Sequence, residues 1–376
     1  MDCNTHKHNP VLQDIQISWS SFNTIYRLGN HCIIPNLYNI HFKPIKRFIF
    51  LLKSSEGHIL REFEKPEVII SKCIGFEACR YNALMIKSDF VEKLKDYVDF
   101  YPVCPEVEIG LGIPRDPIRI IELNGELRLY QPATGLDVTE KMENFINKFL
   151  DVIKDFDGFI LKNRSPSCGI KAVKVYQGYE NSRTKSKAGF FGGAVLDRFP
   201  HLAIEDEGRL RNLKIRENFL TKLYILASFR KMKESGSLNE LIKFHSNNKM
   251  LLMAYNQENM RKMGRITGNP DKNPFNELIS KYQTIFYDSL INPPTIKSNI
   301  NILMHSMGYF SKELTHNEKS FFLDAIDKYR KEVFPLLVCL NILKSWIIRF
   351  NNEYLEGQTF FEPYPEELIE ITTIYK

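Results

Sequence analysis

Three short apolar runs, each stopped by a cysteine-bearing loop, constrain this chain more than any other feature. Val68-Ile69-Ile70 leads into Ser71-Lys72-Cys73-Ile74-Gly75, and a run at about 98–103 leads into Cys104-Pro105-Glu106. Gly158-Phe159-Ile160-Leu161 leads into Lys162-Asn163-Arg164-Ser165-Pro166-Ser167-Cys168-Gly169-Ile170. Each run has the length and the β-branched or aromatic content of a buried strand. The stretch 88–97 reads as a helix. Thr139 is placed to cap another, whose Met142, Phe145, Ile146, Phe149, Leu150 and Ile153 fall three and four apart. Strands separated by helical crossovers predict a parallel sheet, and ligands of open α/β sheets bind at the carboxyl edge. The predicted fold is therefore a Rossmann-like α/β domain that brings Cys73, Cys104 and Cys168 to one rim.

In the third loop Pro166 restricts φ and Gly169 permits positive φ, so the backbone there bends sharply. A cysteine in such a loop is expected to be exposed rather than packed, and an accessible thiolate binds metal or attacks substrate. Between the second run and the helix lie Gly110-Leu111-Gly112-Ile113-Pro114-Arg115 and a hairpin, 118–123 and 126–130, joined by Asn124-Gly125. Asn-Gly is the strongest two-residue hairpin signal.

Composition narrows the setting. The 376 residues are 43% hydrophobic and 26% charged, with a net charge of +6, ordinary for a chain of two or three globular domains. The apolar stretch 334–348 is broken by Asn341 and Lys344, so no membrane span is expected. The start, Met1-Asp2-Cys3-Asn4-Thr5-His6, lacks a signal-peptide core, and seven cysteines are an odd number. Both point to a reducing cytoplasm. Cys3, His6 and His8 read as a polar tail, with spacing that fits no zinc pattern, and Cys32 as a small buried residue.

From 197 to 230 the chain reads as charged and helical, with Glu205-Asp206-Glu207 as a solvated helix start rather than catalytic acids. The stretch 231–237 reads as a linker. The remainder is predicted all-α, broken at Asn269-Pro270, Pro293-Pro294 and 363–365. His245, His305 and His316 are expected to pack rather than bind metal, and Cys339 to be core. The domains predicted are 1–64, an extension without assigned role; 65–205, the α/β catalytic domain; 206–237, a helical connector; and 238–376, all-α.

Three separated loops giving one thiolate each suit a cubane iron–sulfur cluster. Zinc is the rival, but it favours close cysteine pairs; here Cys73 and Cys79 have five residues between them and no matching pair follows. A redox dithiol would need Cys-x-x-Cys, which is absent. If only three thiolates bind, one iron stays open.

At these residues the chain is similar to the 2-thiouracil desulfidase family. Ser71-Lys72-Cys73, Cys79-Arg80-Tyr81-Asn82, Cys104-Pro105-Glu106, Pro114-Arg115 and Ser165-Pro166-Ser167-Cys168-Gly169 carry the resemblance over about 66–204. It implies a [4Fe–4S] cluster held by Cys73, Cys104 and Cys168. It also implies a substrate sulfur that binds the open iron and leaves as sulfide, and a carboxylate and a hydroxyl beside the cluster. Glu106 and Ser165 match those roles. Cys79 stands as a spare thiol, a fourth ligand or a packed residue, and Ala83 replaces a usual glycine. Arg115 and Arg119 are candidates to grip an anionic substrate group.

The second half resembles the YbgA-like C-terminal domain through Phe244-His245, Asn301-Ile302-Leu303-Met304-His305-Ser306-Met307-Gly308-Tyr309-Phe310, Tyr354-Leu355-Glu356-Gly357-Gln358 and Pro363-Tyr364-Pro365. That resemblance names a domain and no activity. The first expectation is a cytoplasmic desulfidase of thiolated nucleobases or related heterocycles, its helical domain capping the site or recognising a partner. Alternatives are an iron–sulfur module that binds or senses nucleic acid, and a zinc-stabilised structural protein.

Overall fold

The computed structural model describes residues 61–369 apart from 154, 180 and 181. Cys3, His6, His8 and Cys32, and with them the readings made for 1–60, lie outside the described residues. In chain order the first elements are β1 (Glu67–Ser71), α1 (Asp89–Leu94), β2 (Asp99–Val103), α2 (Pro105–Glu108), β3 (Arg119–Leu123), β4 (Glu126–Gln131) and β5 (Leu136–Asp137). Then come α3 (Thr139–Val152), β6 (Gly158–Leu161), β7 (Val173–Gln177), β8 (Arg183–Lys187), α4 (Phe190–Arg198) and β9 (Ala203–Asp206). The rest is helical: α5 (Leu213–Glu234), α6 (Leu238–Tyr255), α7 (Gln257–Gly268), α8 (Phe275–Ser289), α9 (Ile296–Tyr309), α10 (His316–Arg330), α11 (Leu336–Arg349) and α12 (Glu353–Glu356).

The predicted parallel sheet is present, in the order β2-β1-β6-β9 with every pair parallel. Its two central strands, β1 and β6, read as continuous apolar runs because both their faces are covered. Val68, Ile70 and Ile160 point into a cluster with Val91 and Leu94 of α1. The alternate residues, Ile69, Phe159 and Leu161, point into a cluster with Met142 and Ile146 of α3 and Phe191 and Val195 of α4. The strand order reverses direction between β1 and β6, the kind of switch point where an α/β sheet opens a crevice at its carboxyl edge.

A second sheet, ordered β5-β4-β3-β7-β8, is built from the expected hairpin and a pair the sequence did not announce. β7 joins β3 in parallel and turns back as β8. Asn124 and Gly125 have φ of 51° and 85°, the positive values that a type I′ hairpin turn requires at both positions.

Three local expectations differ. The stretch 231–237 is mostly helix, because α5 continues to Glu234 and only 235–237 join it to α6. Thr139 is the first residue of α3 and not its cap, because its hydroxyl serves Leu129 N and Asp137 Oδ1 instead. Glu205 and Asp206 belong to strand β9, not to a helix start, because the run pairs with β6 from Gly158↔Ala203 to Leu161↔Asp206.

The long helix α5 shows why 213–234 lacks a clear apolar stripe. Phe219, Leu220 and Leu223 fill one core cluster, while Ile225, Leu226 and Phe229 fill the other. A helix that sends apolar side chains into two clusters on different sides shows no single apolar stripe. The second cluster runs without a break from Ile69 in the sheet to Phe361 after α12. At its centre Phe229 lies 4.3 Å from Phe286 between ring centroids, with Phe244 beside them. Among the described residues no helix is long and apolar enough to cross a membrane.

Candidate functional site

β1, β2 and β6 deliver their following loops to one cavity of about 340 Å³, far more than the roughly 10–15 Å³ one water needs. Cys73, Cys79, Cys104 and Cys168 all line it, with Glu106, Arg115 and Ser165. Every lining residue lies between Ser71 and Cys168, so among the described residues the helical half adds no cap. Cys168 is 6% exposed: the loop that looked open is buried from bulk water and faces the cavity instead.

The burial has a structural cause. The first turn of α4 lies on the 165–169 loop, with Phe190 N donating to Pro166 O at 3.1 Å and Gly192 N to Ser167 O at 3.0 Å. A Cβ at Gly192 would stand 2.5 Å from Cys168 O, and one at Gly189 2.6 Å from Ser167 O. Only glycine lets helix and loop approach so closely. From the other side, Glu207 accepts from Asn163 N at 2.7 Å and from Lys162 Nζ at 2.5 Å, so the last residue of the misread acidic triplet braces this loop.

The thiols communicate. A hydrogen bond with Cys104 lowers the Cys79 pKa, but one with Cys73 and burial outweigh it and push Cys79 up to about 11. The bond with Cys79, then burial, push the Cys104 thiol up. Burial pushes Cys168 up to about 12, against hydrogen bonds from Ser71 and Ser167. Free of a cation these three are neutral thiols at pH 7, and a metal centre would deprotonate them. The donor set fits a cluster by its chemistry: soft thiols alone, on separate loops, around open space. Among the described residues no three His, Cys, Asp or Glu side chains are gathered as a single-ion site.

Glu106 sits in the first turn of α2, whose cap is Cys104. Arg115 Nε and Nη2 donate to Glu106 Oε2 at 2.9 and 2.6 Å, and Arg115 Nη1 donates to Cys79 O at 2.9 Å and Gly112 O at 3.0 Å. The Arg115 side chain is 4% exposed. It is committed to holding Glu106 and the Cys79 loop, which leaves little of it to grip a substrate anion. Arg119 does not line the cavity; its Nη2 donates to Tyr179 O at 2.7 Å and its guanidinium lies over Tyr176.

Ser165 Oγ is 3.5 Å from Glu106 Oε1 and accepts from Cys168 N at 3.1 Å. Ser167, fully buried, donates to Glu106 Oε1 at 2.5 Å. Sequence reasoning passed over Ser167 and Ser71, although both stood inside quoted motifs. Of the three histidines expected to pack, His245 is buried with Nδ1 3.1 Å from Tyr282 Oη, whereas His305 and His316 are exposed on the surfaces of α9 and α10. Cys339 is fully buried.

Comparison with known proteins adds the relationship. Residues 68–207 match the family described as 2-thiouracil desulfurase, and residues 249–365 match a protein family of unknown function, DUF1722. The chain is 36% identical over 110 residues to the uncharacterized protein YbbK of Bacillus subtilis (strain 168), covering 27% of this chain and 72% of YbbK. It is 26% identical over 151 residues to the uncharacterized protein YbgA of Escherichia coli (strain K12), covering 40% of this chain and 89% of YbgA. A solved structure described as a [4Fe–4S]-dependent thiouracil desulfidase, TudS, aligns with 28% identity and a TM-score of 0.32, covering 41% of this chain and 98% of that one. The chain thus belongs to the 2-thiouracil desulfurase family through its α/β half, and carries a DUF1722 domain in its helical half.

Proposed function

We propose that this chain hydrolyses the carbon–sulfur bond of a thiolated nucleobase or related heterocycle, with a [4Fe–4S] cluster held by Cys73, Cys104 and Cys168. The observation that carries this is the meeting of thiols from three strand ends at a cavity that also holds Glu106. Family membership supports the reaction class. A cluster held by three thiolates would supply a Lewis acid for the substrate sulfur. Cys79 touches Cys73 and Cys104 and is a candidate fourth ligand.

The change needs no redox partner: thiocarbonyl plus water gives carbonyl plus hydrogen sulfide. Glu106 takes a proton from the attacking water and returns one to the departing sulfur. Arg115 on Oε2 and Ser167 on Oε1 set the carboxylate's orientation before substrate enters. Ser165 lines the cavity and orients the water.

The test is sulfide release from 2-thiouracil by the anaerobically reconstituted protein. Glu106→Ala is expected to slow release by about 100-fold or more while iron content per chain stays the same. Unchanged release in that variant, or no release from any thiolated base, overturns the proposal.

One observation favours a substrate that carries phosphate. Arg80 and Arg164 line the cavity and have no ion pair among the described residues, and Arg80 lies over the exposed ring of Tyr81. A thiolated base within RNA would place phosphates against such a rim. Turnover on RNA that falls steeply with salt, alongside poor turnover of the free base, selects this second reading.

A further inference from the structure

We infer that the helical half holds a second binding site, for a small organic ammonium, in the cavity between α5, α11 and the segment after α12. The cavity has a volume of about 90 Å³ and is walled by Leu337 and Leu340 of α11 and by Phe360, Phe361 and Tyr364. It shares no residue with the cysteine cavity. A largely apolar pocket with few polar groups is the usual form of a small-molecule site.

Charge selects the ligand class. Three carboxylates line the cavity, Glu217, Glu362 and Glu366, against one cation, Lys344, in a chain whose net charge is +6. Lys344 is paired with Glu366, and Arg61 faces Glu362. Glu217 has neither ion pair nor hydrogen bond among the described residues. Burial pushes its carboxyl up to about 7, and its charge is felt by the Tyr329 and Tyr364 hydroxyls. A carboxylate set in apolar surroundings is stabilised by an entering cation. Aromatic walls add attraction for an ammonium group, and among the described residues the one cation on the lining, Lys344, is taken up by Glu366. The desulfidation proposed above uses none of these residues.

The test compares n-butylammonium with 1-butanol, nearly the same in size but differing in charge, by saturation-transfer NMR on the full chain. Saturable binding of the ammonium, at least about tenfold tighter than the alcohol, is expected. Glu217→Gln should weaken ammonium binding at least about tenfold and leave sulfide release unchanged. If that variant does not fold, Leu337→Trp, which narrows the cavity, serves instead and should block binding. Equal binding of both probes, binding of neither, or ammonium binding that survives the substitution overturns the inference.

Discussion

The cysteine cavity and the helical cavity are built on opposite principles. In the cysteine cavity the main acid is held on both oxygens, by Arg115 and by Ser167, and the loop that carries Cys168 is braced from two sides. In the helical cavity Glu217, half-buried, shares the wall with leucines, aromatics and a few polar side chains and has no ion pair or hydrogen bond among the described residues. The difference separates preorganisation from vacancy. A site that performs chemistry fixes its charged groups in advance, whereas a site that waits for a charged ligand leaves one group uncompensated.

The sharpest way to break this contrast is to remove a thiol. Cys168→Ser is expected to lose most bound iron and to slow sulfide release by about 100-fold or more, because a hydroxyl is a poor soft ligand. Iron and sulfide analysis of anaerobic protein checks it; full iron content in the variant would dissociate Cys168 from the cluster.

The unanswered acid makes a pH prediction. Because burial raises the Glu217 carboxyl from 4.5 to about 7, its contribution to stability is complete below about pH 4.5 and lost as pH rises through about 7. Between about pH 5 and pH 8 the wild type should lose up to about 3 kcal/mol more stability than Glu217→Gln. Urea denaturation at the two pH values measures the difference. Lys344, Glu362, Glu366, Tyr329 and Tyr364 are common to both chains and cancel.

The braced loop predicts a smaller loss. Gly192→Ala places a methyl 2.5 Å from Cys168 O, so the first turn of α4 must move off the loop. The expected cost is about 2 kcal/mol in denaturation, with weaker iron loading. The mildest change is Arg115→Lys. An ammonium cannot reproduce the fork that spans Glu106 and Cys79 O, and kcat should fall about tenfold with iron content preserved. A lysine variant with wild-type kcat would show that the Glu106 orientation matters little.

Local signals were legible where a residue's neighbours in sequence decide its conformation. The runs ending at Ser71, Val103 and Leu161 carried their own β-branched content, and Asn124-Gly125 specified its turn by positive φ. β9 was not legible, because Ala203-Ile204-Glu205-Asp206 has little strand character and becomes a strand only by pairing with β6. β7 escaped notice although Val173-Lys174-Val175-Tyr176 alternates as a strand does, its partner β3 lying more than 50 residues away. Ser167 was invisible as a partner of Glu106 because 61 residues separate them.

Sequence alone therefore determined the three strands that end in cysteine loops, the hairpin, the helical second half and the thiol-bearing loops themselves, since these follow from side-chain type and short-range periodicity. Tertiary structure alone decided which charges meet: that Arg115 serves Glu106, that Glu207 braces the Cys168 loop, and that Glu217 is left among apolar side chains. Propensity acts between neighbours in the chain, whereas ion pairs, cavities and burial arise between residues that only the folded backbone brings together.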